Sequence, residues 1–310
     1  MTTGIVYGCM QLGRWDRQPL GAAEHGRTEA AVAAALEIGI DTFDHADIYG
    51  HGSAEAAFGA LLRRSPGLRQ QIRVQSKCGI RLADGDRLGV YDLRPATIRE
   101  RVHQSLERLQ TDYLDTLLLH RPDPLADPAE VAAALDGLYD EGLVLAVGVS
   151  NMSAAQIEAL QRHTELPITV NQLEMSLLAR DWLEGGVLIN TSSYSSVGFP
   201  HGTIEHCRHH EISLQAWGSL AGGRFTGMPR EPQDELVAAL VAALAATHGT
   251  TPESVLLAWL QRHPARIIPV IGTTNPERIR ACGDAAAGRV RLSHDEWYEL
   301  WVTARGSALP

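Results

Sequence analysis

The sequence predicts a (β/α)8 barrel, a single domain over residues 1–310, and three observations carry that expectation. Short runs rich in β-branched and apolar residues recur eight times, with longer helical patterns between most of them. Alternation of this kind implies parallel strands with right-handed crossovers, and eight such units close most naturally into a barrel. The competing open, doubly wound sheet usually announces a nucleotide with G-x-G-x-x-G or G-x-x-x-x-G-K-[ST], and neither motif is present.

In chain order the strand candidates are GIVYG (4–8), IDTFDHA (40–46), IRVQSK (72–77), YLDTLLLH (113–120), LAVGVS (145–150), ITVNQ (168–172), ISLQAW (212–217) and RIIPVIG (266–272). Helical segments separate them. In PATIRERVHQSLERLQ, the residues Ile98, Val102, Leu106 and Leu109 form one apolar stripe fit to lie on a sheet. Pro95 and Pro128 suit the first turns of their helices, where a missing N–H does no harm. The longest apolar run, VAALVAALAA (237–246), is about half a membrane span and reads as an Ala-rich core helix.

Composition narrows the partners. With 27 Lys and Arg against 37 Asp and Glu, the formal charge is −10, which disfavours a nucleic-acid or anionic-membrane surface. Four cysteines (Cys9, Cys78, Cys207 and Cys282) form no C-x-x-C pair, and MTTGIVYGCMQLG lacks a basic secretory preface. A reducing, cytoplasmic setting and a small-molecule partner are the expectations.

Barrel chemistry sits at the C-terminal ends of the strands. The second run ends in Asp44 with Tyr49 just beyond, the third in Lys77 and the fourth in His120. Neighbouring strands lie about 4.8 Å apart, so these four side chains can converge. Titratable groups in a barrel are costly unless they pair or react. A free tyrosine titrates near pH 10, and an adjacent ammonium is expected to lower that value. Asp44 can hold the ammonium, while His120 can donate to a substrate oxygen. Such a phenol can protonate an oxygen as negative charge develops there. A carbonyl accepting a hydride needs that help, and the hydride must come from a cofactor.

With these residues in place, the chain resembles the aldo-keto reductases, in particular their bacterial YdhF-like branch. The resemblance is carried along nearly the whole chain by GCMQLG, FDHADIYG, QSKCGIR, SLERLQTDYLDTLLLHRPDP, VGVSN, NQLEMS, AWGSLAGGR and IPVIGTTNPERIR. It implies Tyr49 as proton donor, Lys77 as its modulator, Asp44 as the partner of Lys77, and His120 as the group orienting the carbonyl. It also implies reduction of an aldehyde or ketone with NADPH. The rival from another class is a nicotinamide-binding regulatory subunit with little turnover, and a phosphate-binding barrel isomerase is a third reading.

The same resemblance implies the cofactor contacts. They comprise Gly8, Cys9 and Met10 after the first strand, Asp44 itself, and Ser150, Asn151 and Gln172 around the nicotinamide carboxamide. Trp217 is expected against the nicotinamide face. Gly218, Ser219, Leu220, Gly223 and Arg224 follow it in a glycine-rich loop beside the pyrophosphate. Gly272, Thr273 and Thr274 lead to Asn275, a good N-cap, and to Pro276. Arg278 is expected on the adenosine 2′-phosphate. Gly272 stands where many relatives carry Lys, and Ala281 and Cys282 replace an acid–amide pair, which leaves room for NADH.

Trp15, Arg81, Tyr91 and Arg121 are the candidates for the substrate wall, together with Tyr49 and His120. Three residues precede the first strand, so the family's floor hairpin is expected to be missing or short. The polar segment over 183–205 is expected to cover the cofactor or shape the substrate site. HCRHH (206–210) lacks zinc-ligand spacing and reads as a solvated helix face.

Overall fold

The computed structural model describes residues 4–310, so the expectation about a floor hairpin falls on residues outside those described. Its first half runs β1 (Val6–Gly8), α1 (Ala22–Glu37), β2 (Thr42–Asp44), α2 (Ser53–Arg64), β3 (Arg73–Cys78), β4 (Ile80–Arg81), β5 (Val90–Tyr91), α3 (Pro95–Leu109), β6 (Thr116–Leu119) and α4 (Pro128–Asp140). The second half runs β7 (Val147–Ser150), α5 (Ala154–Gln161), β8 (Ile168–Glu174), α6 (Asp181–Val187), α7 (Thr203–His209), β9 (Ser213–Trp217), α8 (Pro232–His248), α9 (Pro252–Gln261), β10 (Ile268–Ile271), α10 (Pro276–Arg280), α11 (Gly283–Ala286) and α12 (His294–Arg305).

Eight parallel strands close in the order β1-β10-β9-β8-β7-β6-β3-β2, so the predicted barrel is the observed one. Each predicted strand run matches one barrel strand, trimmed at its ends except that β3 extends past Lys77 to Cys78 and β8 past Gln172 to Glu174. The α3 stripe of Ile98, Val102, Leu106 and Leu109 is buried as its period requires. Pro95 and Pro128 both occupy the first helical turn, and Asp127 caps α4 by accepting from the Ala129 N–H at 2.8 Å.

Alternation along each strand decides which residues enter the barrel. In β3, Ser76 points outward to Glu55 of α2, with Oγ donating to Oε1 at 2.6 Å. Gln75 and Lys77 therefore point inward. Phe43 likewise faces outward against Phe58, leaving Asp44 inside. Register brings Asp44 beside Gln75, and Gln172 beside Gln215.

The antiparallel pair β4–β5 was not legible in the sequence. Two-residue strands have no readable period. The segment over 183–205 is anchored at its start on α9 and α12. Trp182 packs edge-on against Trp259, and Glu184 accepts from Trp301 Nε1 and Arg305 Nε, both at 3.0 Å. HCRHH lies on α7 and just beyond it. No helix among the described residues is long and apolar enough to cross a membrane.

Candidate active site

A cavity of about 730 Å³ opens at the C-terminal ends of the barrel strands. Asp44, Tyr49 and His120 line one end of it, and Lys77 lies directly behind them, only 1% exposed. The ammonium of Lys77 has three N–H donors, and all three are engaged. One reaches Asp44 Oδ2 at 2.7 Å, one the His45 carbonyl at 2.9 Å, and one the Tyr49 hydroxyl at 3.1 Å. Tyr49 accepts in that last bond. Its own proton is thereby left for a partner on the cavity side.

The electrostatics correct one expectation. Burial raises the Tyr49 pKa above its ordinary value, and the opposing pull of Lys77 does not overcome it, with Asp44 adding to the rise. The phenol rests in its neutral form, which is the form a proton donor needs. Burial acts to lower the Lys77 pKa, but Asp44 and Tyr49 more than compensate, and the ammonium keeps its charge. Burial, reinforced by Lys77 and Arg121, holds the His120 pKa down at about 2. Its ring is a neutral imidazole, set edge-on to Tyr49 with centroids 5.9 Å apart. A neutral ring can still donate from one nitrogen.

Beneath these groups runs a chain of buried amides that the sequence reading missed. Gln75 Nε2 donates to Asp44 Oδ1 at 2.5 Å and to Gln215 Oε1 at 3.0 Å. Gln215 Nε2 returns a bond to Gln75 Oε1 at 3.1 Å. Gln172 Nε2 donates to Gln215 Oε1 at 2.9 Å. Strands β3 and β9 lie four steps apart around the closed barrel, so the Gln75–Gln215 pair crosses its full width. Polar residues at two mid-strand positions were the available signal, because inward positions there normally carry Val, Ile or Leu.

The wall beyond the catalytic end collects most of the residues expected near a dinucleotide. Gly8, Met10, Ser150, Asn151, Gln172 and Trp217 line it, followed by Gly218, Ser219, Leu220 and Gly223, then Gly272, Thr273, Thr274 and Arg278. Some of their polar atoms are already used. Asn151 Oδ1 accepts from Trp217 Nε1 at 3.2 Å, while its Nδ2 donates to Ser150 Oγ at 2.7 Å and to the His120 carbonyl at 3.4 Å. Asn151 therefore ties three wall residues together. Ser153 caps α5, so Ser150 and Asn151 are not spent on that helix.

Two residues expected at the cofactor lie elsewhere. Arg224 turns its guanidinium to Asp234 at 2.7 Å and Glu231 at 3.2 Å, and it is off the cavity wall. These two carboxylates, brought to it by the fold, hold its charge off the cavity. Cys9 is fully buried behind the wall, and burial pushes its thiol well above the ordinary pKa. The expected substrate residues also divide. Arg121 lines the cavity, whereas Trp15 and Tyr91 are 49% and 47% exposed and stand off it, as does Arg81. Gln11 and Glu253 are wall residues that the sequence reading did not single out.

Close approach by a phosphate chain has a structural counterpart. A Cβ at Gly223 (φ +83°) would meet Arg278 Nη2 at 3.1 Å, and one at Gly8 would meet Val270 Cγ1 at 3.1 Å. Asn275 caps α10 through the Glu277 N–H at 2.9 Å, as the sequence predicted. Because α10 has only five residues, Arg278 belongs to its last turn as much as its first, and helix polarity does not oppose it. No carboxylate among the described residues pairs with Arg278, while its neighbour Arg280 binds Glu37 and Glu277.

Comparison with known proteins agrees with this geometry. The model of the "Aldo/keto reductase family" matches residues 4–301. A "6-dehydroglucose reductase" of Agrobacterium fabrum (strain C58) is 38% identical, over 97% of this chain and 94% of the relative. "Oxidoreductase YdhF" of Escherichia coli K12 is 34% identical, over 89% and 86%. A crystal structure of an aldo/keto reductase from Klebsiella pneumoniae, solved with NADP and acetate, superposes with a TM-score of 0.74 at 26% identity, covering 96% of this chain and 90% of that one. On the barrel, the cavity and these matches together, the chain belongs to the aldo/keto reductase family.

Proposed function

We propose that this protein reduces an aldehyde or ketone to an alcohol, with NADPH as hydride source and Tyr49 as general acid. Family membership makes it an NADPH-dependent carbonyl oxidoreductase. The observation that carries the residue assignment is the bond from Lys77 to Tyr49, in which the phenol accepts and so keeps its proton for the cavity.

The wall fits the cofactor. Arg278, with which no carboxylate among the described residues pairs, is a cation for a 2′-phosphate, the glycines at 8 and 223 admit close backbone approach, and Trp217 presents a ring for stacking. NADPH bound there supplies the hydride. The protein's own residues do the rest. His120, neutral, donates to the carbonyl oxygen and fixes its position. Tyr49 passes its proton to that oxygen as charge builds. Lys77 then faces a phenolate and stabilises it, and Asp44 keeps Lys77 charged and in place. The regulatory-subunit alternative draws no support from any of these features.

Residues of the mouth support a substrate class. Gln11 and Arg121 line the same cavity as Tyr49, and Glu174 stands at the end of β8 within the field of Arg121. This is a set of donors and acceptors suited to hydroxyl groups. The Agrobacterium relative is a 6-dehydroglucose reductase. A polyhydroxylated aldehyde is accordingly our reading of the substrate. Steady-state rates on sugar aldehydes, 6-dehydroglucose included, against apolar aldehydes of similar size test it. Higher kcat/KM on the sugar aldehydes is expected; preference for the apolar series would overturn the substrate class.

A further inference from the structure

We propose that Gln75 and Gln215 are positioning residues that transmit the acceptor character of Asp44 across the barrel and thereby fix which end of the Gln172 amide faces the cofactor. The inference rests on the reading of Gln172 as a nicotinamide contact given above.

The argument is one of donors and acceptors. An ionised carboxylate only accepts, whereas a primary amide has one accepting and one donating end and is free to flip. Asp44 is held by Lys77 at one oxygen, so its other oxygen, 2.5 Å from Gln75, admits only the NH2 end of that amide. Gln75 Oε1 must then face Gln215, and it accepts from Gln215 Nε2 at 3.1 Å. With its NH2 committed there, Gln215 offers Oε1, which takes Nε2 of Gln75 at 3.0 Å and Nε2 of Gln172 at 2.9 Å. Gln172 has now spent its NH2 end inside the barrel. Its Oε1 is the end left for the cavity, which Gln172 lines.

Each step has a single satisfactory answer because all four side chains are buried, at 2% to 5% exposure. Flipping any one amide sets two acceptors or two donors against each other, and unsatisfied buried groups are costly. A carboxamide on the cofactor carries an NH2 that an amide oxygen accepts. Fixed polarity at Gln172 therefore favours that group over an analogue lacking the NH2. Without the relay, Gln172 can turn either end to the cavity.

The test compares dissociation constants of NADP⁺ and its 3-acetylpyridine analogue, which replaces the carboxamide NH2 by a methyl group. Quenching of protein fluorescence reads both without turnover. Wild type is expected to favour NADP⁺ about tenfold, the scale of one hydrogen bond between polar groups. Gln172→Leu should reduce that ratio to near one. Gln215→Met should lower it at least threefold. The Gln75→Met/Gln215→Met variant, which removes both crossing amides and leaves neither orphaned, should do the same should the single variant fold poorly. A mere packing role would weaken both ligands equally and leave the ratio intact, and that result would overturn the relay. An unchanged ratio in Gln172→Leu would instead overturn the assignment of Gln172, on which the relay depends.

Discussion

Lys77 donates to the hydroxyl of Tyr49 across 3.1 Å, so the phenol is an acceptor on its protein side and a donor only toward the cavity. The barrel register makes this possible. Asp44 and Lys77 leave adjacent strands two residues out of step, Asp44 lying beside Gln75 and Lys77 one inward position further along. The carboxylate and the ammonium thereby meet at 2.7 Å under the loop that carries Tyr49.

Both members of that pair are buried, which predicts an asymmetric response to mutation. Lys77→Met leaves Asp44 as an unpaired buried charge and should destabilise the fold by about 3–5 kcal/mol. Asp44→Asn/Lys77→Met together should recover most of that loss while remaining inactive. Denaturant titration of the three proteins checks this. A double variant no more stable than the single one would mean that the pair is not what Lys77→Met disrupts.

The loop between Asp44 and Tyr49 contains a second buried carboxylate, Asp47. Burial raises its pKa to about 7, and Glu55 adds to the rise, while Arg101 (3.7 Å from Asp47 Oδ2) and Arg108 oppose it. A carboxyl that holds its proton longer when folded than when unfolded costs stability as pH rises from about 4 to about 7. Above that window the cost is constant. Asp47→Asn should therefore match wild type near pH 4 and exceed it at pH 8, by on the order of 2–4 kcal/mol. Thermal melts at the two pH values decide it. Equal stability at pH 8 would show that Arg101 already neutralises the charge.

How much of this was legible in the sequence varies with the kind of signal. All eight barrel strands and the four inward-converging groups could be read, because strand alternation and position at a strand end report directly on which side chains share the mouth. Arg224 could not, since only the fold brings Asp234 and Glu231 to it. The same holds for Gln75 and Gln215, whose partner lies across the barrel and 140 residues away. Nor was the direction of the Tyr49 shift readable. It depends on how completely the phenol is enclosed, and adjacency to Lys77 alone points the other way.

On the same cavity wall, Arg278 lies beside Gly223 and has no carboxylate partner among the described residues, and Glu253 contributes a carboxylate. Arg278→Ala should weaken NADPH about tenfold to a hundredfold and NADH by less than threefold, since only NADPH offers the 2′-phosphate to a charged donor. Calorimetric titration of both dinucleotides measures this. Equal losses would remove Arg278 from the 2′-phosphate.

Gly223→Ala probes the same place from the backbone. At φ +83°, with Arg278 Nη2 at 3.1 Å from the added methyl, it should displace the guanidinium and weaken NADPH by about fivefold or more. An unchanged affinity, read in the same titration, would show that the loop and Arg278 move independently of the ligand.

The central claim, that Tyr49 is the acid, is tested most directly by Tyr49→Phe, which removes one oxygen and leaves the ring in place. NADPH oxidation in the presence of an aldehyde should fall by two to four orders of magnitude, the usual share of general acid catalysis, with NADPH affinity unchanged. If Tyr49→Phe keeps most of the wild-type rate, the proton comes from another group and the assignment fails.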